Sequence, residues 1–365
     1  MKVDGVHYRS IWFDEAAERP RIIDQTELPH RFEERVLEDV GSAAEAIRTM
    51  RVRGAPLIGA TAAYGLALAV AADPKTASLD AAAQQLAETR PTAVNLRWAI
   101  ERVVNVVRGA EEPERAAIAL DLAKQICDDD VAACEAIGDY GLALLREHFP
   151  EKRSKPLQIL THCNAGWLAT VDWGTALSPI YKAQEAGLPI HVWVDETRPR
   201  NQGASLTAFE LRQAGIPHTV IVDNAGGHLM QRGEVDAVIV GSDRTTSTGD
   251  VCNKIGTYLK ALAAHDNDVP FFVALPLSTV DWEISDGLRE IPIEERSSSE
   301  VREMDGLTTS GDVETISLFP EESPVANPAF DVTPARYVTA LITDEGTCTP
   351  DRAGLAALRQ SVAVG

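Results

Sequence analysis

Short apolar runs in the second half of the chain constrain its fold more than any other feature. They lie at residues 157–161, 190–195, 218–222, 236–241 and 270–275. Helical patterns are found between and after them, near residues 167–186, 203–214 and 251–264. Apolar strands that alternate with helices are typical of a parallel sheet covered by helices on both faces. We therefore predict a Rossmann-like α/β fold, in which the loops leaving the strands gather at one edge of the sheet.

The pattern before residue 150 is different. Residues 1–40 alternate apolar and polar positions, which predicts a small antiparallel sheet. Helical periodicity follows, where Ser42 and Glu45 have the spacing of a capping box for the first helix. Pro56 fits the first turn of a second helix. The sequence thus predicts a small sheet followed by helices.

A chain of 365 residues is too long for one ordinary core, so two domains are expected. We place an N-terminal domain at residues 1–150 and a C-terminal α/β domain at residues 151–365, joined by the charged segment 151–156. Residues 295–325 are rich in Ser, Glu and Pro, and are expected to form a long surface excursion.

Composition limits the partners and the compartment. The net charge of −21 disfavours binding to nucleic acids and anionic membranes. The five scattered cysteines argue against a disulfide framework and a structural zinc site, and they fit a reducing compartment. We find no apolar stretch of membrane-spanning length and no signal peptide, so we expect a soluble, cytoplasmic protein.

Cys163 is the first candidate for chemistry. It follows the run 157–161, and the turn after it predicts a helix beginning near Trp167. A thiol between a strand end and a helix start lies where ligands bind in α/β sheets, and the free N–H groups of the helix would stabilise a thiolate. The alternative is an inert buried cysteine, since free cysteines are usually buried.

Asp243 follows the run 236–241 in the same way, although an aspartate in this position is often a helix cap or an ion-pair partner. Asn253 and Lys254 are expected to open the next helix, where they could bind a phosphate. A solvated lysine is the alternative.

Two arginines of the first half are further candidates. Arg53 precedes Gly54, which lets the backbone approach a ligand closely, and Arg90 precedes Pro91. Both could also be ordinary surface residues. The chain has no dinucleotide-binding fingerprint, P-loop or nucleophile elbow. Read from the residues alone, it is a two-domain α/β protein with a thiol, a carboxyl group and scattered cations.

A series of motifs, in order from about residue 20 to residue 347, resembles the methylthioribose-1-phosphate isomerase family. The motifs are Arg53-Gly54-Ala55-Pro56, Arg90-Pro91-Thr92-Ala93-Val94-Asn95-Leu96, Thr161-His162-Cys163-Asn164-Ala165-Gly166, Glu196-Thr197-Arg198-Pro199 with Gln202-Gly203, Gly241-Ser242-Asp243-Arg244, Asn253-Lys254-Ile255-Gly256-Thr257, Pro292-Ile293-Glu294-Glu295-Arg296 and Asn327-Pro328-Ala329-Phe330-Asp331. Related regulatory subunits of the translation-initiation guanine-nucleotide exchange factor share the fold.

The resemblance implies an aldose–ketose isomerase of methionine salvage that acts on 5-methylthioribose 1-phosphate. It makes Cys163 and Asp243 the catalytic pair. The residues implied to contact the substrate are Arg53, Gly54, Ala55, Arg90, Gln202, Asn253 and Lys254. A homodimer without a metal or nucleotide cofactor is also implied. One position departs from the family, which tends to have Arg where this chain has Ser205.

The chemistry needs an acid and a hydrogen transfer. The C1 phosphate prevents spontaneous ring opening, so Asp243 would donate a proton to the ring oxygen, and burial would raise its pKa for this purpose. Hydrogen then moves from C2 to C1. Cys163 as a thiolate could carry it as a proton, if a helix start and cations lower the thiol pKa, and direct hydride transfer is the alternative.

Two other functions stay open from the sequence. A related isomerase could act on ribose 1,5-bisphosphate or 5-deoxyribose 1-phosphate. A non-catalytic regulatory subunit is the other alternative, and the presence of both Cys163 and Asp243 counts against it.

Overall fold

The computed structural model describes residues 1–90, 93–150 and 155–364. The chain begins with short antiparallel strands, and these strands are β1 (Lys2–Val3), β2 (Val6–His7), β3 (Ile11–Asp14), β4 (Arg19–Ile23) and β5 (Glu34–Val36). Strands β3, β4 and β5 form one sheet in that order. The predicted small antiparallel sheet is therefore confirmed.

Helices fill the rest of the N-terminal part. They are α1 (Val40–Arg48), α2 (Ala55–Ala72), α3 (Thr76–Ala87), α4 (Val94–Arg108) and α5 (Arg115–His148). The capping box of α1 is formed by Asp39 and Ser42, because Asp39 Oδ1 accepts from Ser42 N at 2.7 Å and Ser42 Oγ accepts from Asp39 N at 3.0 Å. Ser42 is thus the third residue of the helix rather than its cap.

Helix α2 is the centre of this part, and α1, α3, α4 and α5 pack around it. Its 18 residues are apolar enough to cross a membrane by length and composition, which the sequence analysis did not expect. The protein buries 72% of this helix, so its apolar character is explained by packing on all sides.

The second part alternates strands and helices. Its strands are β6 (Leu157–Thr161), β7 (Ile190–Asp195), β8 (His218–Ile221), β9 (Ala237–Val240), β10 (Arg244–Thr246), β11 (Val251–Lys254), β12 (Phe271–Ala274), β13 (Val280–Asp281), β14 (Glu303–Leu307), β15 (Val313–Ser317), β16 (Phe330–Thr333), β17 (Ala340–Thr343) and β18 (Gly346–Cys348). Its helices are α6 (Ser178–Glu185), α7 (Ala208–Gln213), α8 (Ala225–Gln231), α9 (Thr257–Asp266), α10 (Gly287–Glu290), α11 (Ser299–Arg302) and α12 (Arg352–Val364).

The main sheet has the strand order β18-β17-β12-β9-β6-β7-β8, and every neighbouring pair is parallel except β17 and β18. The predicted α/β fold and all of its predicted strands are confirmed, with ends that differ by at most a residue. Strand β6 pairs directly with β9, with Leu160 opposite Val238. The loops that leave these two strands, which carry Cys163 and Asp243, are therefore neighbours.

Two predicted helices are wrong in part. The helix expected over 167–186 is instead a 3-10 turn at Trp167–Ala169, a loop, and then α6. The helix expected over 251–264 begins only at Thr257, because residues 251–254 form β11. That strand belongs to a second sheet, β13-β10-β11-β16, and its partner β16 is distant in sequence. Its other partner, β10, lies directly before it in the chain and pairs with it antiparallel.

The surface excursion of residues 295–325 has secondary structure of its own, namely α11 and the β14–β15 hairpin. The division into domains at residue 150 stays a prediction. Most of its proposed linker, residues 151–154, lies outside the described residues. Apolar residues from both sides of that position, including Ile137, Leu144, Leu157 and Ile159, share one core.

Candidate active site

Cys163 lies just beyond the carboxyl end of β6 and is only 8% exposed. Its φ of +66° lies in the left-handed region, which is unfavourable for a residue other than glycine. Two threonine hydroxyls hold this conformation. Thr197 Oγ1 accepts from Cys163 N at 2.8 Å, and Thr207 Oγ1 donates to Cys163 O at 2.8 Å. The thiol donates to Gln202 Oε1 at 3.3 Å. The position of the sulfur is therefore closely determined.

The helix start that was expected to stabilise a thiolate is absent. The residues after Cys163 form a loop, and the N–H of Cys163 donates to Thr197. Burial raises the pKa of the Cys163 thiol, while the positive charges of Arg53 and Lys254 and the backbone N–H of Asn164 lower it. The net direction, a raised pKa, favours the neutral thiol.

Asp243 follows β9, and its N–H donates to Cys252 O at 2.9 Å, which ties it to β11. Burial raises the pKa of its carboxyl group, while Lys254, Arg90 and Arg53 oppose that rise. The direction agrees with the expectation from the sequence. A protonated fraction is therefore available at a higher pH than for an ordinary aspartate.

Asn253 and Lys254 lie at the end of strand β11, not at a helix start. Lys254 is 8% exposed, and its Nζ lies 4.9 Å from the centre of the Phe330 ring. Burial lowers the pKa of Lys254, while Cys163 and Asp243 raise it. Asn253 Nδ2 donates to Thr257 Oγ1 at 3.0 Å. The strand, rather than a helix dipole, places the ammonium group beside the thiol and the carboxyl group.

Arg53 reaches the site from the N-terminal part. Its Nη1 donates to Asn164 Oδ1 at 2.5 Å and its Nη2 to Asn164 O at 2.6 Å. Gly54 has a φ of +95°, and a Cβ at this position would lie 2.2 Å from Ala169 O. Only glycine allows this contact. Ala55 then begins α2. The start of α2 is thus packed against the loop that follows Cys163.

Arg90 also crosses from the N-terminal part. Its Nη2 donates to Glu294 Oε2 at 3.2 Å, and Glu294 Oε1 accepts from Arg296 Nη1 at 2.8 Å. Buried Arg90 Nε has no hydrogen-bond partner among the described residues. Pro91 and Thr92 of the same motif lie outside the described residues. The structure therefore brings the predicted site residues of both halves to one region.

A cavity of about 410 Å³ adjoins this region. Arg53 and Gln202 line it from the site, Met50 and Leu28 line it from the N-terminal part, and Ser205 lies in its wall. The cavity therefore shares Arg53 and Gln202 with the site, whereas Cys163, Asp243 and Lys254 do not line it.

Another polar cluster lies behind Cys163. Ligand atoms of His162, Asp195 and Asp223 lie within 4.8 Å of one another, a spacing that could suit a metal ion. Lys260 fits there instead, because its Nζ lies 3.0 Å from Asp195 Oδ2 and donates to Asp223 O at 2.6 Å. The ammonium group thus supplies the positive charge that these groups require.

Several residues that hold the site together were not predicted from the sequence. Thr197, Thr207, Asn164 and Glu210 make buried hydrogen bonds to Cys163, to Arg53 or to each other. Asn164 adjoins Cys163 in the motif, which is a signal that could have identified it. Glu210 has no local signal beyond being a carboxyl group in a helix, because its partners are distant in sequence.

Comparison with known proteins identifies the family of this chain. The family model described as "Initiation factor 2 subunit family" matches residues 51–350. The methylthioribose-1-phosphate isomerase of Methylorubrum populi is 61% identical over 98% of this chain and 98% of that protein. The isomerase of Rhodospirillum rubrum is also 61% identical, over 98% of this chain and 93% of that protein. The chain belongs to the methylthioribose-1-phosphate isomerase family.

Solved structures extend the comparison. The 5-methylthioribose 1-phosphate isomerase of Pyrococcus horikoshii is 40% identical with a TM-score of 0.83, and the match covers 97% of this chain and 96% of that one. A structure named translation initiation factor eIF-2B, subunit delta, from A. fulgidus is also 40% identical, with a TM-score of 0.80 over 97% of this chain and 100% of that one. Membership of the isomerase family is thus accompanied by likeness to an initiation-factor subunit.

Proposed function

We propose that this protein converts 5-methylthioribose 1-phosphate into 5-methylthioribulose 1-phosphate. The observation that carries the proposal is the meeting of a buried thiol, a carboxyl group with a raised pKa and a buried ammonium group at Cys163, Asp243 and Lys254. Relatives that bear the isomerase name, 61% identical over nearly the whole chain, support it.

Asp243 opens the ring. The substrate carries its phosphate on C1, so the ring oxygen must receive a proton as the bond between C1 and that oxygen breaks. The raised pKa of Asp243 provides a protonated carboxyl group for this step. The reaction leaves a carboxylate at Asp243 and a positive centre at C1, which the buried environment shields from water.

Hydrogen then moves from C2 to C1 as hydride. Burial raises the pKa of the Cys163 thiol, which favours its neutral form, and its partner is an amide oxygen of Gln202, which cannot accept a proton from it. A thiolate base at C2 is therefore disfavoured. As the hydride leaves C2, the Asp243 carboxylate takes the proton of the C2 hydroxyl, and a ketone forms at C2. Asp243 is protonated again, so the proton balance closes.

The cations bind the phosphate. The overall charge of −21 repels anions, so the site needs its own positive charges. Lys254, Arg53 and Arg90 supply them, and Asn253 and Gln202 add amide groups for the phosphate or the ribose hydroxyls. Gly54 and Ala55 bring the start of α2 close to the substrate.

The hydride route predicts the fate of isotopes. In D₂O, the ketose is expected to carry no solvent deuterium at C1, and substrate labelled with deuterium at C2 is expected to keep that label at C1. Nuclear magnetic resonance and mass spectrometry of the product measure both. Deuterium incorporated at C1 from the solvent would show proton transfer and contradict the hydride step.

The electrostatics predict a pH profile. Because Asp243 must be protonated and burial raises its pKa, kcat/KM is expected to fall as pH rises through that raised pKa. Lys254 opposes the rise, so Lys254→Met is expected to move this fall to higher pH, besides weakening phosphate binding. Profiles of kcat/KM against pH measure the shift. Lys182→Met, which removes a cation paired with Glu135 and Asp139, is the control. A fall at unchanged or lower pH in Lys254→Met would be inconsistent with the assignment.

A direct comparison of substrates tests the function. Purified protein is offered 5-methylthioribose 1-phosphate, 5-deoxyribose 1-phosphate and ribose 1,5-bisphosphate at equal concentration, and ketose formation is followed. The highest kcat/KM is expected for the methylthio substrate. A higher kcat/KM for ribose 1,5-bisphosphate would identify that sugar phosphate as the substrate instead. Absence of ketose from all three would favour a regulatory subunit.

We also propose the setting that the family resemblance implies, which is methionine salvage in the cytoplasm by a homodimer. Size-exclusion chromatography with light scattering is expected to give twice the mass of one chain. A single-chain mass would remove the homodimer from the proposal.

A further inference from the structure

We propose that Glu210 is a positioning residue, which fixes the amide of Asn164 so that Asn164 directs the Arg53 guanidinium towards the phosphate of the substrate. The inference rests on the proposed isomerase function, which it deepens. Glu210 lies on α7 and is 1% exposed. It has no hydrogen bond to Arg53, and its link to that guanidinium is the Asn164 amide.

Four donors surround the Glu210 carboxyl group. Oε1 accepts from Asn164 Nδ2 at 2.8 Å and from Leu168 N at 3.1 Å, and Oε2 accepts from Trp167 N at 2.9 Å and from Tyr181 OH at 2.6 Å. Burial raises the pKa of Glu210. If the group binds a proton, the proton belongs on Oε2, where the Tyr181 oxygen can accept it. In both protonation states, Oε1 remains an acceptor for Asn164.

This acceptor determines which way the Asn164 amide points. Its Nδ2 faces Glu210 Oε1 and also Thr207 Oγ1 at 3.1 Å, and the Thr207 hydroxyl is already donating to Cys163 O. Reversal of the amide would turn its oxygen to the Glu210 oxygen and its NH₂ group to Arg53. Both contacts would be repulsive, and unsatisfied buried polar groups are costly. The amide oxygen must therefore face Arg53.

A neutral anchor leaves the charge of Arg53 available. Arg53 is 7% exposed, and no carboxylate oxygen lies within 4.0 Å of its guanidinium among the described residues. An aspartate in place of Asn164 would neutralise the cation. Asn164 uses two of the five N–H donors of the guanidinium, which leaves the others for a phosphate. Glu210 thus aligns a cation without being its counter-ion.

The test compares two variants at the same carboxyl group. Glu210→Met removes both acceptor oxygens at a similar side-chain length and is expected to raise the KM for 5-methylthioribose 1-phosphate about tenfold or more, with a smaller change in kcat. Tyr181→Phe removes a donor from Oε2 on the side away from Asn164, so it is expected to lower thermal stability without changing KM. An unchanged KM in folded Glu210→Met would overturn the proposal.

Asn164→Ala provides a second variant if Glu210→Met does not fold. It is expected to raise KM to a similar extent, and Glu210→Met added to it should raise KM no further, because both act through one amide. Additive effects, or an unchanged KM in Asn164→Ala, would refute the inference. Calorimetric binding of inorganic phosphate gives the same comparison without turnover. An inactive wild-type protein would count against the proposed function, whereas equal phosphate affinities in wild type and variants would count against the role of Glu210.

Discussion

Replacement of Asp243 by asparagine is expected to lower kcat/KM for 5-methylthioribose 1-phosphate by about a thousandfold, within the range that general acid catalysis supplies. An amide keeps the size of the side chain but cannot donate the proton that opens the ring. The loss corresponds to about 4 kcal/mol of transition-state stabilisation, at 1.36 kcal/mol per factor of ten. Steady-state assays of ketose formation measure it.

The stability of the same variant provides a check on its fold. A carboxyl group whose folded-state pKa is raised destabilises the protein as pH rises from the unfolded-state pKa towards the folded-state value. Asp243→Asn is therefore expected to equal wild type in thermal stability at acid pH and to exceed it at alkaline pH. Asp130→Asn is the matched control, because burial raises the pKa of Asp130 to about 7 and its carboxylate accepts from Val171 N. It should show the same stability trend with unchanged kcat. Loss of activity in Asp130→Asn would mean that buried carboxyl groups affect turnover through the fold.

Replacement of Cys163 by alanine is expected to lower kcat by about a hundredfold or more, of the order seen when a group that stabilises a transition state is removed. The sulfur is polarisable, and the bonds of Cys163 to Thr197, Thr207 and Gln202 fix its position in the proposed site. Its removal leaves space for water, which would attack the positive centre at C1. We therefore also expect the variant to release inorganic phosphate, and a phosphate assay beside the ketose assay detects it.

Cys127→Ala is the control for this variant. Cys127 is a buried thiol of the N-terminal core, so its loss leaves a comparable cavity away from the site. It should lower thermal stability while leaving kcat unchanged. Full activity in Cys163→Ala would remove the thiol from the mechanism.

The main sheet could be predicted because its strands are buried on both faces. Such strands appear as continuous apolar runs, and each of them is visible without knowledge of its neighbours. Strand β11 could not be predicted in this way. Residues 251–254 pair with nearby β10 and, across a long separation, with residues 330–333, whereas their local periodicity suggested a helix. The position of Lys254 at a strand end was therefore not available from the sequence.

The region after Cys163 shows the same limit. Glu210 Oε1 and Oε2 accept from the N–H groups of Leu168 and Trp167, and these bonds stabilise the turn where a helix was expected. The carboxyl group comes from α7, many residues later. The expectation of a thiolate rested in part on that helix and in part on the cations, of which Arg53 and Lys254 do lower the thiol pKa.

The composition of the site was accessible mainly through family resemblance. Arg53 and Arg90 lie far from Cys163 in sequence, and no local pattern predicts that they reach the same region. The structure adds the bonds that make this arrangement specific. Arg53 is held by Asn164, and Arg90 is held by Glu294. The catalytic roles of these residues stay proposals until the variants are measured.

The most direct test of the central claim is the time course of purified wild-type protein and Asp243→Asn with 5-methylthioribose 1-phosphate, followed by phosphorus nuclear magnetic resonance. We predict conversion to the ketose phosphate by wild type, and conversion about a thousandfold slower by Asp243→Asn at equal concentration. Absence of ketose with folded wild-type protein would contradict the proposed function. Equal rates for the two proteins would contradict the assignment of Asp243 as the acid that opens the ring.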